Sequence, residues 1–440
     1  MSYTFRHMKW ICILHFYQPP YQKPKILEQI VNECYLPLTE KLIKSNAPIH
    51  IYCNVNQSLI EQLILNNHIK VIENLKTLIR QGKIRMVLTP AYHPIIPLIP
   101  KQVAIEQITQ NIFMLNEQFS IKTFDAFFPP ELAFNTKQIL PILDNIPIVL
   151  SQSALNQDTY IPLVKEGDSR YLIRHTNISN MIMGGQIRSF NKVNLDEMVG
   201  GANLFVTAVD AETFGHHRKG YEKVFIDLLN QMPTTWIPTN ITRYIESSIN
   251  QKSSWSKLNQ SNNPFILWKD SDNLLHQKLW KLLKLAEMTS DNTNNKTDYY
   301  KATASCTFWW ASANPWWSLE IIERGAWQMY KSIALHNSAM KDKAYKSYTD
   351  IVLLAFKWQR EGKIDKQFDN KLAKRVPFAD RCKQGELKEY ISKFKKAENN
   401  AIKDKNYELA IKWRDAITKL QNKTDMFDDW HIVDELRQYE

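Results

Sequence analysis

Through residues 1–250, a short apolar run ending on a polar side chain recurs, and a segment of helical periodicity follows most of these runs. Trp10–Leu14 stops at His15, Ile49–Cys53 at Asn54 and Asn56, and Ile84–Leu88 at Thr89. Phe124–Phe128 stops just short of Glu131, Ile146–Leu150 at Ser151 and Gln152, and Leu204–Val209 at Asp210. Runs this short, rich in branched and aromatic residues, read as buried strands. Between them, 24–44, 57–81 and 101–119 read as helices: Leu59, Leu63 and Ile64 share a face, then Val71, Leu75 and Ile79, and Gly82 stops the segment. Tyr171–Ile173 and Met181–Met183 are weaker candidate strands. The alternation predicts an α/β fold with a parallel sheet and crossover helices. An open nucleotide-binding sheet lacks its usual support, because no GxGxxG or Walker loop follows any run. In a TIM-like barrel all these polar ends share one rim, so residues far apart in sequence converge.

The densest of these ends is LFVTAVDAETFGHH, Leu204–His217, where Asp210, Glu212, His216 and His217 follow a buried run and Gly215 permits a sharp turn. Glu131 and Asp210 each end an apolar run flanked by aromatics: Phe127, Phe128 and Phe134 for the first, Phe205 and Phe214 for the second. Two facing carboxylates can cleave a glycosidic bond, one attacking the anomeric carbon and the other protonating the leaving oxygen; a retaining enzyme holds them about 5–5.5 Å apart. A structural ion pair or a metal site would use the same residue types. His15, His93, His216 and His217 could join Asp210 on a metal, hydrogen-bond a ligand, or stabilise charge. HExxH is absent. Tyr17, Tyr92 and the Trp309–Trp317 cluster offer faces on which sugar rings stack, or alternatively the packing between two domains. Pro315 argues against a helix through PWW.

Composition narrows the setting. The net charge of +11 comes largely from scattered Lys, with no dense basic block, so nucleic acid is not an expected partner. Five widely spaced cysteines without a CxxC pair fit a reducing cytoplasm. The apolar run after the basic start is too short for a signal peptide, and none is long enough for a membrane span. Beyond a catalytic barrel at 1–250, residues 251–345 are expected to form a helical subdomain. It carries polar loops at Gln251–Asn263 and Ser290–Asn295 and the Trp-rich stretch. Residues 346–440 contain 21 basic and 17 acidic side chains, which suits solvated helices with narrow apolar stripes. Leu387, Ile391 and Phe394 make one stripe, Leu409, Trp413, Ala416 and Leu420 another, with a turn near Lys403–Asn406: a helical hairpin.

Five segments, in this order, resemble the motifs of glycoside hydrolase family 57: HFYQPP at His15–Pro20, Gly82–Pro97 ending YHPIIP, FPPELAF at Phe128–Phe134, AVDAETFGHH at Ala208–His217 and WWASANPWWS at Trp309–Ser318. The resemblance, over roughly residues 8–335, implies an incomplete (β/α)7 barrel with a helical subdomain. It implies retaining action on α-1,4-linked glucans through a covalent intermediate and no metal or other cofactor. On that resemblance Glu131 is the nucleophile and Asp210 the general acid/base. His15, Gln18, His93, Glu212, His216, Trp310 and Trp316 bind substrate. Family members include amylases, amylopullulanases, glucanotransferases, branching enzymes and α-galactosidases. The chain departs from the family in having Phe128, Pro129 and Pro130 before Glu131, where a Trp is more usual. Two other readings stand beside this one: metal-dependent hydrolysis of the α-mannosidase or polysaccharide deacetylase type, using His15, Asp210 and His216, and non-catalytic glycan binding. Residues 403–420 resemble the UVR motif of UvrB and UvrC, which implies a protein partner or self-association through residues 385–420.

Overall fold

The computed structural model describes residues 8–143, 145–256, 263–290, 296–313, 316–364 and 385–422. Pro315 and parts of the two polar loops expected at Gln251–Asn263 and Ser290–Asn295 lie outside the described residues. Six strands carry the barrel: β1 (Lys9–Phe16), β2 (Ile51–Val55), β3 (Ile84–Val87), β4 (Ile148–Ser151), β5 (Ser169–Arg174) and β6 (Leu204–Asp210). β1 pairs in parallel with β2 and with β6, β2 with β3, and β5 with β4 and β6. Phe127 closes the remaining gap, bridging Leu88 after β3 and Ile148 in β4, both in the parallel sense. Phe128 N–H donates to Leu88 O (2.7 Å) and Val149 N–H to Phe127 O (2.9 Å). Among the described residues, seven parallel segments thus form a closed ring, the (β/α)7 form that the family resemblance implies and a parallel sheet as the alternation predicts. The expected strand at Phe124–Phe128 shrinks to one bridging residue. Pro129 and Pro130 follow it at once and have no N–H with which to continue a ladder.

Strand alternation sorts the apolar side chains into two layers. Ile11, Ile13, Tyr52, Val87, Ala126, Phe128, Val149, Leu172, Val206 and Ala208 share the barrel interior. Trp10, Cys12, Leu14, Cys53, Met86, Phe127, Leu150, Ile173 and Phe205 pack outward with the helices. Trp10 is fully buried, and its indole N–H donates to Thr207 Oγ1 at 2.7 Å, so burying the ring strands no polar group.

Two local expectations are corrected. Met181–Met183 is not a strand but the last turn of the helix Thr176–Met183. Ile178 and Ile182 supply its buried face at i and i+4, and the His175 side chain accepts from Ile178 N–H at its start. A three-residue apolar run carries too little periodicity to distinguish the two forms. The helix expected over 57–81 is two, Gln57–Leu65 and Ile69–Arg80, broken where Asn67 turns left-handed (φ 59°).

The helices Leu274–Ser290, Thr297–Ala302, Ser305–Trp310, Leu319–His336 and Lys341–Arg360 pack beside the barrel. They dock through Lys301 to Glu61 (3.1 Å), Gln107 Nε2 to Thr303 Oγ1 (2.9 Å), and Arg324 Nη1 to Tyr21 O (2.9 Å). Residue 345 falls inside the last of these helices. Separately, Glu386–Lys403 and Tyr407–Asn422 form a helical hairpin around its own core of Phe394, Ala401, Ala410, Trp413, Ala416 and Leu420. No described helix is long and apolar enough to cross a membrane.

Candidate active site

The parity that sends Ile13, Tyr52, Val149, Leu172 and Ala208 into the barrel also governs the next inward position of each strand. Those positions are His15, Asn54, Ser151, Arg174 and Asp210, all at the C-terminal ends. In the ladders His15 stands opposite Asp210 on one side and Asn54 on the other. Glu131 follows the Phe127 segment. Going round the ring from Asp210, that segment is reached through β1, β2 and β3 one way and through β5 and β4 the other. The two carboxylates therefore sit across one barrel mouth.

Glu131 lies in a tight turn, Pro130–Leu132, with left-handed backbone at Glu131 (φ 57°) and Leu132 (φ 50°). Such conformations in non-glycine residues cost of order 1–3 kcal/mol each and persist only where surroundings impose them. Here a short ladder does so: Trp255 N–H donates to Glu131 O (3.2 Å), Ser253 and Lys252 pair with Phe134 and Asn135, and Thr136 N–H donates to Gln251 O (3.0 Å). The carboxylate keeps 18% of its side-chain surface exposed. Trp255 Nε1–H donates to Oε2 and Ser305 Oγ–H to Oε1 (3.3 Å). Burial pushes the Glu131 carboxyl up to about 7, the charge of Asp210 adds to the rise, and the two donors oppose it. Asp210 itself is exposed at the end of β6.

Histidines and aromatics line the space between them. His15 Nδ1 lies 2.6 Å from Asn54 Oδ1, and its ring stacks on Phe128 (centroids 5.5 Å) beside His93 (5.0 Å). Burial lowers the His15 imidazole's proton affinity, with Asp210 pulling the other way. His93, also left-handed (φ 59°), stacks on Tyr17 (4.1 Å) and contacts Ser305 Oγ through Nδ1 (2.8 Å). Burial drives it well below the usual histidine range, so it is neutral. Arg174 donates from Nε to Ala208 O (2.8 Å) and from Nη2 to Asn180 Oδ1 (3.0 Å). Asn54 Nδ2, Thr89 Oγ1 and His93 Nε2 are buried with no hydrogen-bond partner among the described residues.

Other expected site residues lie elsewhere around this mouth. Glu212 is buried and accepts from Gln18 Nε2 (2.8 Å) and Tyr35 OH; burial and Asp210 push it up to about 8. His216 turns to Glu33 Oε2 (2.5 Å). Gly215 is required there, because a Cβ at its φ of 132° would sit 2.0 Å from Glu33 O. Among the described residues no three His, Cys, Asp or Glu side chains converge as a metal-ligand set, so His15, Asp210 and His216 do not form one. Trp309 packs between Trp310 (4.8 Å) and Trp316 (4.6 Å), and Trp316 is 38% exposed. These rings share a segment with Ser305, whose N–H donates to His93 O (3.0 Å). Trp255, Ser305 and Arg174 escaped the sequence reading. Arg174 was detectable as the polar residue ending the Tyr171–Ile173 run. Trp255 and Ser305 are joined to the site only by tertiary pairing and carry no local signal.

The profile described as glycosyl hydrolase family 57 matches residues 11–236, and the UvrB/uvrC motif matches residues 388–423. No curated protein matches the sequence. Among solved structures, the branching enzyme of Pyrococcus horikoshii is 13% identical, with 83% of this chain and 96% of that one covered and a TM-score of 0.59. The α-amylase of Thermotoga maritima is 12% identical over 79% and 97%, with a TM-score of 0.53. The 4-α-glucanotransferase of Thermococcus litoralis is 13% identical over 74% of this chain, with a TM-score of 0.56; the chain spans 58% of that enzyme's length. At such identities the likeness is one of fold.

Proposed function

Because the chain belongs to glycosyl hydrolase family 57, we propose that it is a retaining hydrolase or transglycosidase of α-1,4-linked glucans, with Glu131 as nucleophile and Asp210 as general acid/base. The observation that carries this reading is the pair of carboxylates across one barrel mouth, close enough for the charge of Asp210 to act on Glu131. Glu131, held at both oxygens, attacks the anomeric carbon; Asp210, open to solvent, protonates the departing oxygen and then activates water or an acceptor sugar. His15 and His93 line the mouth, and Trp310 and Trp316 offer stacking surfaces. Gln18 and Glu212, both buried and joined by a hydrogen bond at 2.8 Å, complete the proposed substrate-binding set with His216. Branching enzyme, amylase and glucanotransferase among the similar structures support an α-glucan substrate. A cytoplasmic setting goes with buried free thiols at Cys12, Cys34 and Cys53. The tail hairpin, with Tyr407 and Ile411 exposed, serves attachment to a protein partner or a second copy.

Product analysis on maltoheptaose tests the reading. Short products alone mean hydrolysis, longer chains mean transfer, and new α-1,6 linkages mean branching. Glu131→Gln should lose turnover by orders of magnitude with the fold intact, because the covalent route is gone. Turnover at the wild-type rate in that variant rejects Glu131 as nucleophile. Glucan binding without turnover in the wild type favours a non-catalytic protein.

A further inference from the structure

We propose that Trp255 is a positioning residue for Glu131, its indole N–H fixing Oε2 while Ser305, braced by His93, fixes Oε1. The proposal rests on Glu131 being the nucleophile.

The geometry leaves little choice of donors. Glu131 presents one oxygen to Trp255 Nε1 and the other to Ser305 Oγ. The indole nitrogen can only donate. Ser305 has a single hydroxyl proton, with Glu131 Oε1 at 3.3 Å and His93 Nδ1 at 2.8 Å both within reach of Oγ. A carboxylate cannot donate, so Ser305 gives its proton to Glu131 and accepts from His93 Nδ1–H. That assignment makes His93 the Nδ1–H tautomer, consistent with a neutral ring. The result is a one-way chain, Nδ1–H to Oγ–H to Oε1, and a second donor on Oε2. Such a clamp selects one carboxylate orientation before substrate arrives, as preorganised sites require.

Both arms are anchored to the element they hold. Trp255 comes two residues after the strand Lys252–Ser253, which pairs with Phe134 and Asn135 just beyond Glu131, and its own N–H bonds Glu131 O (3.2 Å), so donor and acceptor are held by one short ladder. Its ring stands edge-on to the fully buried Trp268 (6.1 Å, 87°). Ser305 is fully buried at the start of Ser305–Trp310, pinned by the Pro94–Ala304 bridge and by its N–H to His93 O. Charge-assisted donors of this kind favour the ionised form that attack needs, against the burial and the Asp210 charge that disfavour it.

The test compares the full-length wild type with Trp255→Phe, Ser305→Ala and Ser305→Thr, after thermal melts establish folding. Titrating the Glu131 carboxyl by carbon-13 NMR, with Glu131→Gln assigning the signal, needs no turnover. An inactive wild type would therefore sink the functional reading while this measurement still judges the clamp. Trp255→Phe should move the Glu131 midpoint upward. It should also lower kcat near neutral pH by about tenfold or more, with KM changed less than about threefold. The kcat deficit should shrink as the pH rises above the new midpoint. Ser305→Ala should behave likewise, and Ser305→Thr, which keeps the hydroxyl, should recover most of the loss. An unmoved midpoint in Trp255→Phe, or a kcat loss equal at every pH, overturns the role of Trp255. Failure of Ser305→Thr to exceed Ser305→Ala overturns that of Ser305.

Discussion

His15 and Asp210 are direct partners in the parallel register of β1 and β6, and His15 also touches Asn54 across the next ladder at 2.6 Å. The imidazole is partly buried, which disfavours its cation, while the neighbouring carboxylate favours it. Removing the negative charge should therefore lower the proton affinity of His15 further. The same change should lower that of Glu131, which the Asp210 charge now raises. Nitrogen-15 and carbon-13 NMR titrations of Asp210→Asn should show both midpoints moving down. A midpoint of Glu131 that does not move would mean the two carboxylates are not electrostatically joined across the mouth.

The acid limb of the rate profile follows from Glu131. Its carboxyl is pushed up to about 7, and only the anion can attack. As the pH falls through that value the nucleophile is neutralised, so kcat/KM for a maltooligosaccharide should drop tenfold per pH unit below about 7. An acid limb found near the ordinary glutamate value of about 4.3 would contradict this.

Much of this site could be read from sequence because strand parity is a local property. Once His15, Asn54, Ser151 and Asp210 end apolar runs, a barrel delivers them to one rim without further information. What was hidden depends on pairing between distant segments. Trp255 reaches Glu131 across 124 residues through a ladder only a few residues long, and Ser305 reaches His93 across 212. The position of His216 was hidden for the same reason: its spacing from Asp210 is the same whether it faces the mouth or turns to Glu33. Phe124–Phe128 was legible as apolar but not as a single bridge, since ladder length depends on where the neighbours and prolines fall.

Glu212 should behave as a buried neutral acid. Its carboxyl is raised to about 8 by burial first and Asp210 second, so in the folded chain it holds its proton near neutral pH, whereas the unfolded chain releases it at about 4.3. Between those values the folded state binds more protons, so this group makes stability fall as pH rises. Glu212→Gln removes the titration and keeps the shape, so its stability profile should be flatter than wild type across that window. Glu212→Ala should instead cost about 2–4 kcal/mol, because it opens a cavity and leaves Tyr35 OH and Gln18 Nε2 without an acceptor. Urea denaturation at several pH values measures both. A Gln variant with the wild-type slope would show that Glu212 is ionised in the fold.

The tail hairpin has an apolar core distinct from those of the barrel, centred on Trp413, which is 1% exposed and packs on Phe394 at 5.0 Å between centroids. Replacing a buried Trp by Ala typically costs about 3–5 kcal/mol, more than a two-helix hairpin with so small a core can hold in reserve. Trp413→Ala in the full chain should therefore melt the Glu386–Lys403 and Tyr407–Asn422 helices, seen as lost helical circular dichroism. The barrel transition and maltooligosaccharide turnover should be unchanged. If the hairpin attaches the protein to a partner or a second copy, the same variant should also elute from size-exclusion chromatography as a smaller species or lose that partner. A barrel Tm that falls with the hairpin would show that the two cores are one cooperative unit. An unchanged elution volume and an unchanged set of partners, with the helices melted, would remove the attachment role.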